Sequence, residues 1–139
     1  MAIDVAEIAG GIALERAFEI RRIVFCDEQG VSREEEFDGL DGTCRQYLAT
    51  IGDLAVGTAR TRPLEDGHIK IERVAVLQGY RDLGVGTSLM ERIMADIGEM
   101  PMTLNAQFET KSFYKRLGFS AIGDIFDEAG IAHVRMVRS

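Results

Sequence analysis

A mixed α/β sheet with helices on both faces is the fold class this sequence predicts, and three observations carry it. Strand-like and helix-like segments alternate only in part along the chain. The two ends of the chain read as hairpins. At the centre, Ile71 to Ile97 runs a strand through a short polar turn into a helix. In that helix Val85, Leu89, Ile93 and Ile97 recur at every fourth residue, with Met90 and Met94 beside them. That is one apolar stripe facing a core.

Taken in order, Ile3 to Ile8 alternates and reads as a first strand, broken by Gly10-Gly11. From Ala13, the residues Leu14, Ala17-Phe18, Arg21 and Val24-Phe25 give helical spacing with a narrow apolar face, and Gly30 is its stop. Ser32 and Glu35 fit a capping box for a short helix. The acidic run Ser32 to Asp41 is either a solvated surface or a set of carboxylates lining an amine-binding cleft. Cys44 to Ile51 and Leu54 to Arg62 form a hairpin across Gly52-Asp53, with Leu54, Val56, Thr58, Arg60 and Arg62 on one face. Pro63 ends that strand and Asp66-Gly67 makes the next turn.

The strand His68 to Leu77 changes parity: Ile69 and Ile71 are apolar at odd positions, Val74 and Val76 at even ones. A regular strand with one buried face cannot do this, so the sequence predicts a β-bulge near Glu72-Arg73, or burial on both faces. A bulge would tilt the strand and open a gap in the sheet. Gly98 and Pro101 end the central helix. A strand (Met102 to Gln107), a helix (Phe108 to Leu117, closed by Gly118), a strand (Phe119 to Ile125), a turn (Asp127 to Gly130) and a last strand (Ile131 to Val137) complete the chain.

At 139 residues the chain is expected to be a single domain, residues 1–139, without repeats or linkers. No apolar run approaches the ~20 residues of a membrane span, and no secretory signal is evident, so a cytoplasmic protein without a membrane partner is expected. Cys26 and Cys44 lie in no metal-ligand spacing and are expected as reduced thiols; no metal is expected. A net charge of −7 argues against nucleic acid and is compatible with a cationic acceptor such as an amine.

The loop Arg81-Asp82-Leu83-Gly84-Val85-Gly86 lies where the first N–H groups of a helix and its positive dipole end await an anion. It is not a P-loop, since Gly86 is followed by Thr87-Ser88 with no lysine. It is not a dinucleotide fingerprint either, since Leu89 stands where a third glycine or alanine is needed. An ordinary strand–turn–helix joint is the plain alternative. Arg81-x-x-Gly84-x-Gly86 resembles motif A of the GNAT N-acetyltransferase superfamily, and Tyr114-x-x-x-Gly118-Phe119 resembles its later Tyr-x-x-x-Gly-Phe motif at the expected distance. The segments Val24 to Val31, Glu36-Phe37-Asp38, Ala106-Gln107 and Gly130-Ile131-x-His133-x-x-Met136 resemble the small stand-alone ElaA-like or YjcF-like branch.

The resemblance implies the GNAT acyl-coenzyme A N-acyltransferase fold: six or seven strands, mostly antiparallel, with a splay between the fourth and fifth. It implies acetyl-coenzyme A as co-substrate. The pantetheine would lie along Val74, Ala75 and Val76. The pyrophosphate would meet Arg81, Asp82, Leu83, Gly84, Val85, Gly86 and Thr87. Asn105 or Gln107 would contact the pantetheine or substrate. Tyr114 would protonate the departing thiolate, with a packed core-edge tyrosine as the alternative. Glu72 would be the base, with a structural ion pair to Arg73 or Arg60 as the alternative. Glu28, Gln29, Glu36 and His133 are the candidates for the acceptor pocket. The implied partner is an amine-bearing small molecule or peptide, and a homodimer is compatible with superfamily habit. The function expected is acetyl transfer to a primary amine by direct attack in a ternary complex. The alternative is a non-catalytic acyl-coenzyme A sensor or interaction module.

Overall fold

A single seven-stranded sheet, ordered β1-β2-β3-β4-β5-β7-β6, is the frame of the computed structural model, which describes residues 2–139. The strands are β1 (Asp4–Ile8), β2 (Arg45–Ile51), β3 (Leu54–Pro63), β4 (Ile69–Val76), β5 (Met102–Gln107), β6 (Ser120–Glu128) and β7 (Ile131–Arg138). Every neighbouring pair is antiparallel except β4 and β5. Helices α1 (Gly11–Arg21) and α2 (Arg33–Glu36) cover one face; α3 (Val85–Ile97) and α4 (Lys111–Arg116) cover the other.

The apolar stripe of α3 does what its spacing predicts. Val85, Leu89, Met90 and Ile93 are fully enclosed against Tyr47, Val56, Ile71, Met102 and Leu104. Each such side chain contributes roughly 1.5–3 kcal/mol. Gly57 on β3 is what lets α3 sit this close, since a Cβ there would lie 2.8 Å from Val85 Cγ1. On the opposite face Ala17, Ile20 and Val24 pack on Leu48 and Ala75, a smaller second core.

Helix α1 starts at Gly11, two residues before the expected start, and does not continue as an α-helix to Phe25. It passes into a π-helical stretch, Arg22–Glu28. The wider turns bring Phe25 and Gln29 to the edge of the sheet's central gap. Gly30 N–H to Cys26 and Val31 N–H to Phe25 close this end. Ser32 caps α2 by accepting from the Glu35 N–H at 3.1 Å, as the capping box predicts.

Two bulges set the faces of the central strands. Arg73, at φ 57°, is the extra residue of β4, so Ile71, Val74 and Val76 all reach the α3 core across the parity change. The second bulge corrects the reading of β3. Ala49 pairs with Gly57 but Thr50 with Ala55, so Val56 is the extra residue. Val56 therefore packs under α3, while Thr58, Arg60 and Arg62 point to the α1 side. Beyond Ile71, which pairs with Leu104, β4 and β5 have no further register although both strands run on. This splay is the gap the bulge was expected to open. The last helix is shorter than expected, because Phe108–Thr110 is a 3-10 turn leading into α4. Strand β6 is longer and runs to Glu128, so the connection to β7 is the tight turn Ala129-Gly130, both at positive φ.

Candidate active site

A cleft of about 990 Å³ passes through the sheet where β4 and β5 part. One mouth is built by the loop into α3. Gly84 adopts φ 90°, which a glycine takes without steric cost and an L side chain resists. No side chain caps α3, and its first intrahelical bond is Ser88 N–H to the Gly84 carbonyl. The N–H groups of Val85, Gly86 and Thr87 are thus available at the positive end of the helix. Gly86 faces the Phe113 ring, where a Cβ would reach 3.4 Å. This cradle suits a pyrophosphate of an acyl-coenzyme A.

Arg81 does not hang free at this mouth. Its Nε donates to the Val76 carbonyl at 2.9 Å and its Nη2 to Glu28 at 2.9 Å. Glu28, a candidate for the acceptor pocket from sequence, therefore sits on the opposite, loop side of the cleft. Tyr114 projects from α4 between Phe113 and Phe119, edge-on at 4.9 and 6.1 Å. It is only 8% exposed, and burial pushes its phenol above the ordinary range, so it is protonated at neutral pH. Both Tyr114 and the exposed edge of Val74 to Val76 line the cleft.

The other mouth is polar. Along this face β3 presents Arg60 and Arg62, β4 presents Lys70 and Glu72, β5 presents Asn105 and Gln107, and β7 presents His133 and Arg135. Glu72 meets three cations: Arg60 at 3.1 Å, Arg62 at 2.9 Å and Lys70 at 3.0 Å. Burial raises its pKa, but the Arg62 hydrogen bond and the neighbouring charges outweigh this and bring it down to about 2. Arg73 takes no part in holding Glu72; it bonds Glu36 and Asp38 instead.

The acidic run beside α2 divides: Glu34 and Glu35 are exposed, Glu35, Glu36 and Asp38 line the cleft, and Glu36, Asp38 and Asp41 also pair with buried or half-buried arginines. Glu36 is buried on Arg21 and Arg73, so the second acceptor candidate is tied into the interior. Asp41 joins Arg21 to Arg60, and the Arg60 guanidinium holds Asp38 well below the usual carboxylate range. Arg21 and Arg60 are 1% and 0% exposed, so these carboxylates are required partners for buried cations.

Gln29 and Gln107 meet side chain to side chain at 2.8 Å, bridging the π-helical stretch to β5. Asn105 donates to Glu128 at 3.3 Å. His133 Nδ1 donates to the Ile131 carbonyl at 2.7 Å, which leaves Nε2 facing the cleft. Nε2 lies 3.6 Å from Glu128, and the ring stacks on Phe126. Cys26 and Cys44 are free, and burial pushes both thiols up, away from nucleophilic character.

Sequence reasoning thus brought Tyr114, Val74 to Val76, the glycine loop, Gln29, Gln107 and His133 to one cleft. It missed Arg62, Lys70 and Phe113. The alternation Arg60-x-Arg62 opposite Lys70-x-Glu72 was the available signal, since a hairpin in that register aligns three cations with one carboxylate.

A family model described as an acetyltransferase (GNAT) domain matches residues 23–139. YjcF of Bacillus subtilis, described as an uncharacterized N-acetyltransferase, is 38% identical over 129 residues, covering 90% of this chain and 91% of its own. The crystal structure of ElaA from Escherichia coli superposes with a TM-score of 0.87 at 27% identity, over 99% of this chain and all of that one. A solved acyl-CoA N-acyltransferase from Pseudomonas aeruginosa gives 0.88 at 26% identity, again over 99% of this chain and all of its own. The sheet order, the β4–β5 splay and these likenesses agree: the chain belongs to the GNAT acetyltransferase family and has the acyl-CoA N-acyltransferase fold.

Proposed function

We propose that the whole chain acts as one N-acetyltransferase domain that moves the acetyl group of acetyl-coenzyme A to a primary amine by direct attack. The observation that supports this best is the cleft itself. An uncapped helix N-terminus and a protonated tyrosine stand at one mouth, and an imidazole stands at the other.

In this reading, the N–H groups of Val85 to Thr87 hold the pyrophosphate. Arg81 turns to it from Glu28, and Asp82, Leu83 and Gly84 shape the loop. The pantetheine lies against the unpaired edge of Val74, Ala75 and Val76, with Asn105 or Gln107 near its end. The acceptor arrives largely as an ammonium and must lose a proton before its lone pair can attack the thioester carbon. Glu72 is poorly suited to take it, because a carboxylate with a pKa of about 2 returns a proton at once. Glu72 is a fixed anion, and His133 Nε2 takes the proton, with Glu128 3.6 Å away. As the nitrogen–carbon bond forms, the Val74 N–H stabilises the oxyanion. On collapse the carbon–sulfur bond breaks, Tyr114 gives its proton to the departing thiolate, and the amide nitrogen passes its remaining extra proton to the tyrosinate.

Thermal unfolding with acetyl-coenzyme A, against ATP and NAD, tests the first half. At ~100 times its dissociation constant a ligand adds about 2.7 kcal/mol. A rise for acetyl-coenzyme A alone is expected. Release of coenzyme A in the presence of amines tests the second half, and Tyr114→Phe is expected to lower kcat about 100-fold while the cofactor Kd stays within a few-fold. A thermal rise with no transfer to any amine would make the protein a sensor and refute the transferase reading.

A further inference from the structure

We propose that the acceptor carries an anionic group, a carboxylate or a phosphate, together with its amine, and that Arg62 and Lys70 hold that group. This rests on the transferase reading and narrows its acceptor. The starting point is a charge imbalance. Arg21, Arg60, Arg62, Lys70 and Arg73 form one connected network with Glu36, Asp38, Asp41 and Glu72. The cations outnumber the carboxylates by one, inside a chain whose net charge is −7.

The shortage of carboxylates is local to one corner of the cleft: Glu35, Glu36, Asp38 and Glu109 also line it, but none of them pairs with Arg62 or Lys70. Among the described residues, Arg62 and Lys70 have Glu72 as their one carboxylate, and Arg60 shares it. Arg62 spends Nε and Nη2 on Glu72, which leaves Nη1 without a protein acceptor. Lys70 meets Glu72 alone, with ammonium donors left over. Both side chains are partly exposed, 26% and 20%, and both line the cleft. Arg135 on the same face donates to Thr103 and pairs with no carboxylate among the described residues.

The opposite end of this floor has the opposite character. His133 and Glu128 stand there, and Glu128 also accepts from Asn105. The cleft floor is therefore polarised, electropositive at Arg62 and Lys70 and electronegative at Glu128. Glu72, where both cation heads converge, lies on β4, and His133 lies on β7 opposite Gln107 of β5, so the two ends face each other across the splay. An acceptor with an ammonium at one end and an anion at the other satisfies both ends. A neutral amine leaves the cations unmatched, and a diamine opposes them.

The test is a matched set: 5-aminopentanoate, pentylamine and 1,5-diaminopentane, with 3-aminopropanoate against 2-aminoethyl phosphate to separate carboxylate from phosphate. Each is assayed with acetyl-coenzyme A for coenzyme A release. Each is also assayed with coenzyme A for a shift in the unfolding midpoint. The amino acids or the amino phosphate are expected to give the higher kcat/KM and the larger shift. In Lys70→Gln the kcat/KM ratio of 5-aminopentanoate to pentylamine should fall about ten- to a hundredfold, the loss of one charge-assisted contact, and Lys70→Arg should restore it. Equal or better use of pentylamine or 1,5-diaminopentane overturns the proposal, and so does an unchanged ratio in Lys70→Gln. If no amine is acetylated, the transferase reading fails by itself, and the midpoint shifts still decide whether the cleft prefers an anion.

Discussion

Replacing Glu72 with glutamine separates a carboxylate that holds the fold from one that takes a proton. Glu72 is enclosed among Arg60, Arg62 and Lys70 at 2.9–3.1 Å, and its pKa is displaced from 4.5 to about 2. A displacement of that size corresponds to roughly 3 kcal/mol of folding free energy at neutral pH. The folded pKa lies below the unfolded one, so this stabilisation is complete above about pH 4.5 and is lost as pH falls toward 2. By pH 3 roughly half of it remains. Urea unfolding of the wild type and Glu72→Gln at pH 7, 5 and 3 is the assay. The variant should be less stable by about 3 kcal/mol at pH 7 and 5, and the difference should shrink at pH 3. Its turnover at pH 7, measured below its unfolding midpoint, should stay within about tenfold of the wild type, since general-base loss typically costs about 10²–10⁴. Equal stability at pH 7 together with collapsed turnover would refute the reasoning and restore Glu72 as the base.

Three further outcomes are expected. In His133→Gln, kcat/KM should fall about 100-fold or more while the acetyl-coenzyme A Kd by calorimetry stays within a few-fold; an unchanged kcat/KM would assign the proton elsewhere. Gly57→Ala should destabilise by roughly 1–3 kcal/mol, because its Cβ would stand 2.8 Å from Val85, and a chemical-denaturation midpoint equal to wild type would show that α3 can shift. In Glu28→Gln, Arg81 loses a partner that competes with pyrophosphate, so acetyl-coenzyme A should bind up to about fivefold tighter by calorimetry; weaker binding would show that Glu28 positions the loop.

The parts legible in the sequence were those written in local pattern. The parity change at Glu72-Arg73 located the β4 bulge, and the spacing of Val85 to Ile97 located α3. The bulge at Val56 left no such trace, since Val56 and Gly57 offer no parity to break. The π-helical turn of Arg22–Glu28 was invisible for a related reason, because one register change within a narrow apolar face barely alters its period. The acidic run stayed illegible because its partners are distant. Asp41 is explained by Arg60, and Glu36 by Arg21 and Arg73, and none of those pairings shows in the run itself. Local charge density cannot separate a solvated loop from the plug of a buried cation.

The β4–β5 ladder ends after Ile69, Lys70 and Ile71 have met Met102, Thr103 and Leu104. Past Leu104 the sheet has a window cut through a wall rather than a pit sunk into it. A pit has one doorway, so two reactants must queue and the spent one must back out past the fresh one. A window has two sills. On the transferase reading proposed above, the thioester would come over the α3 sill and the amine over the α1 sill, so their paths need not cross.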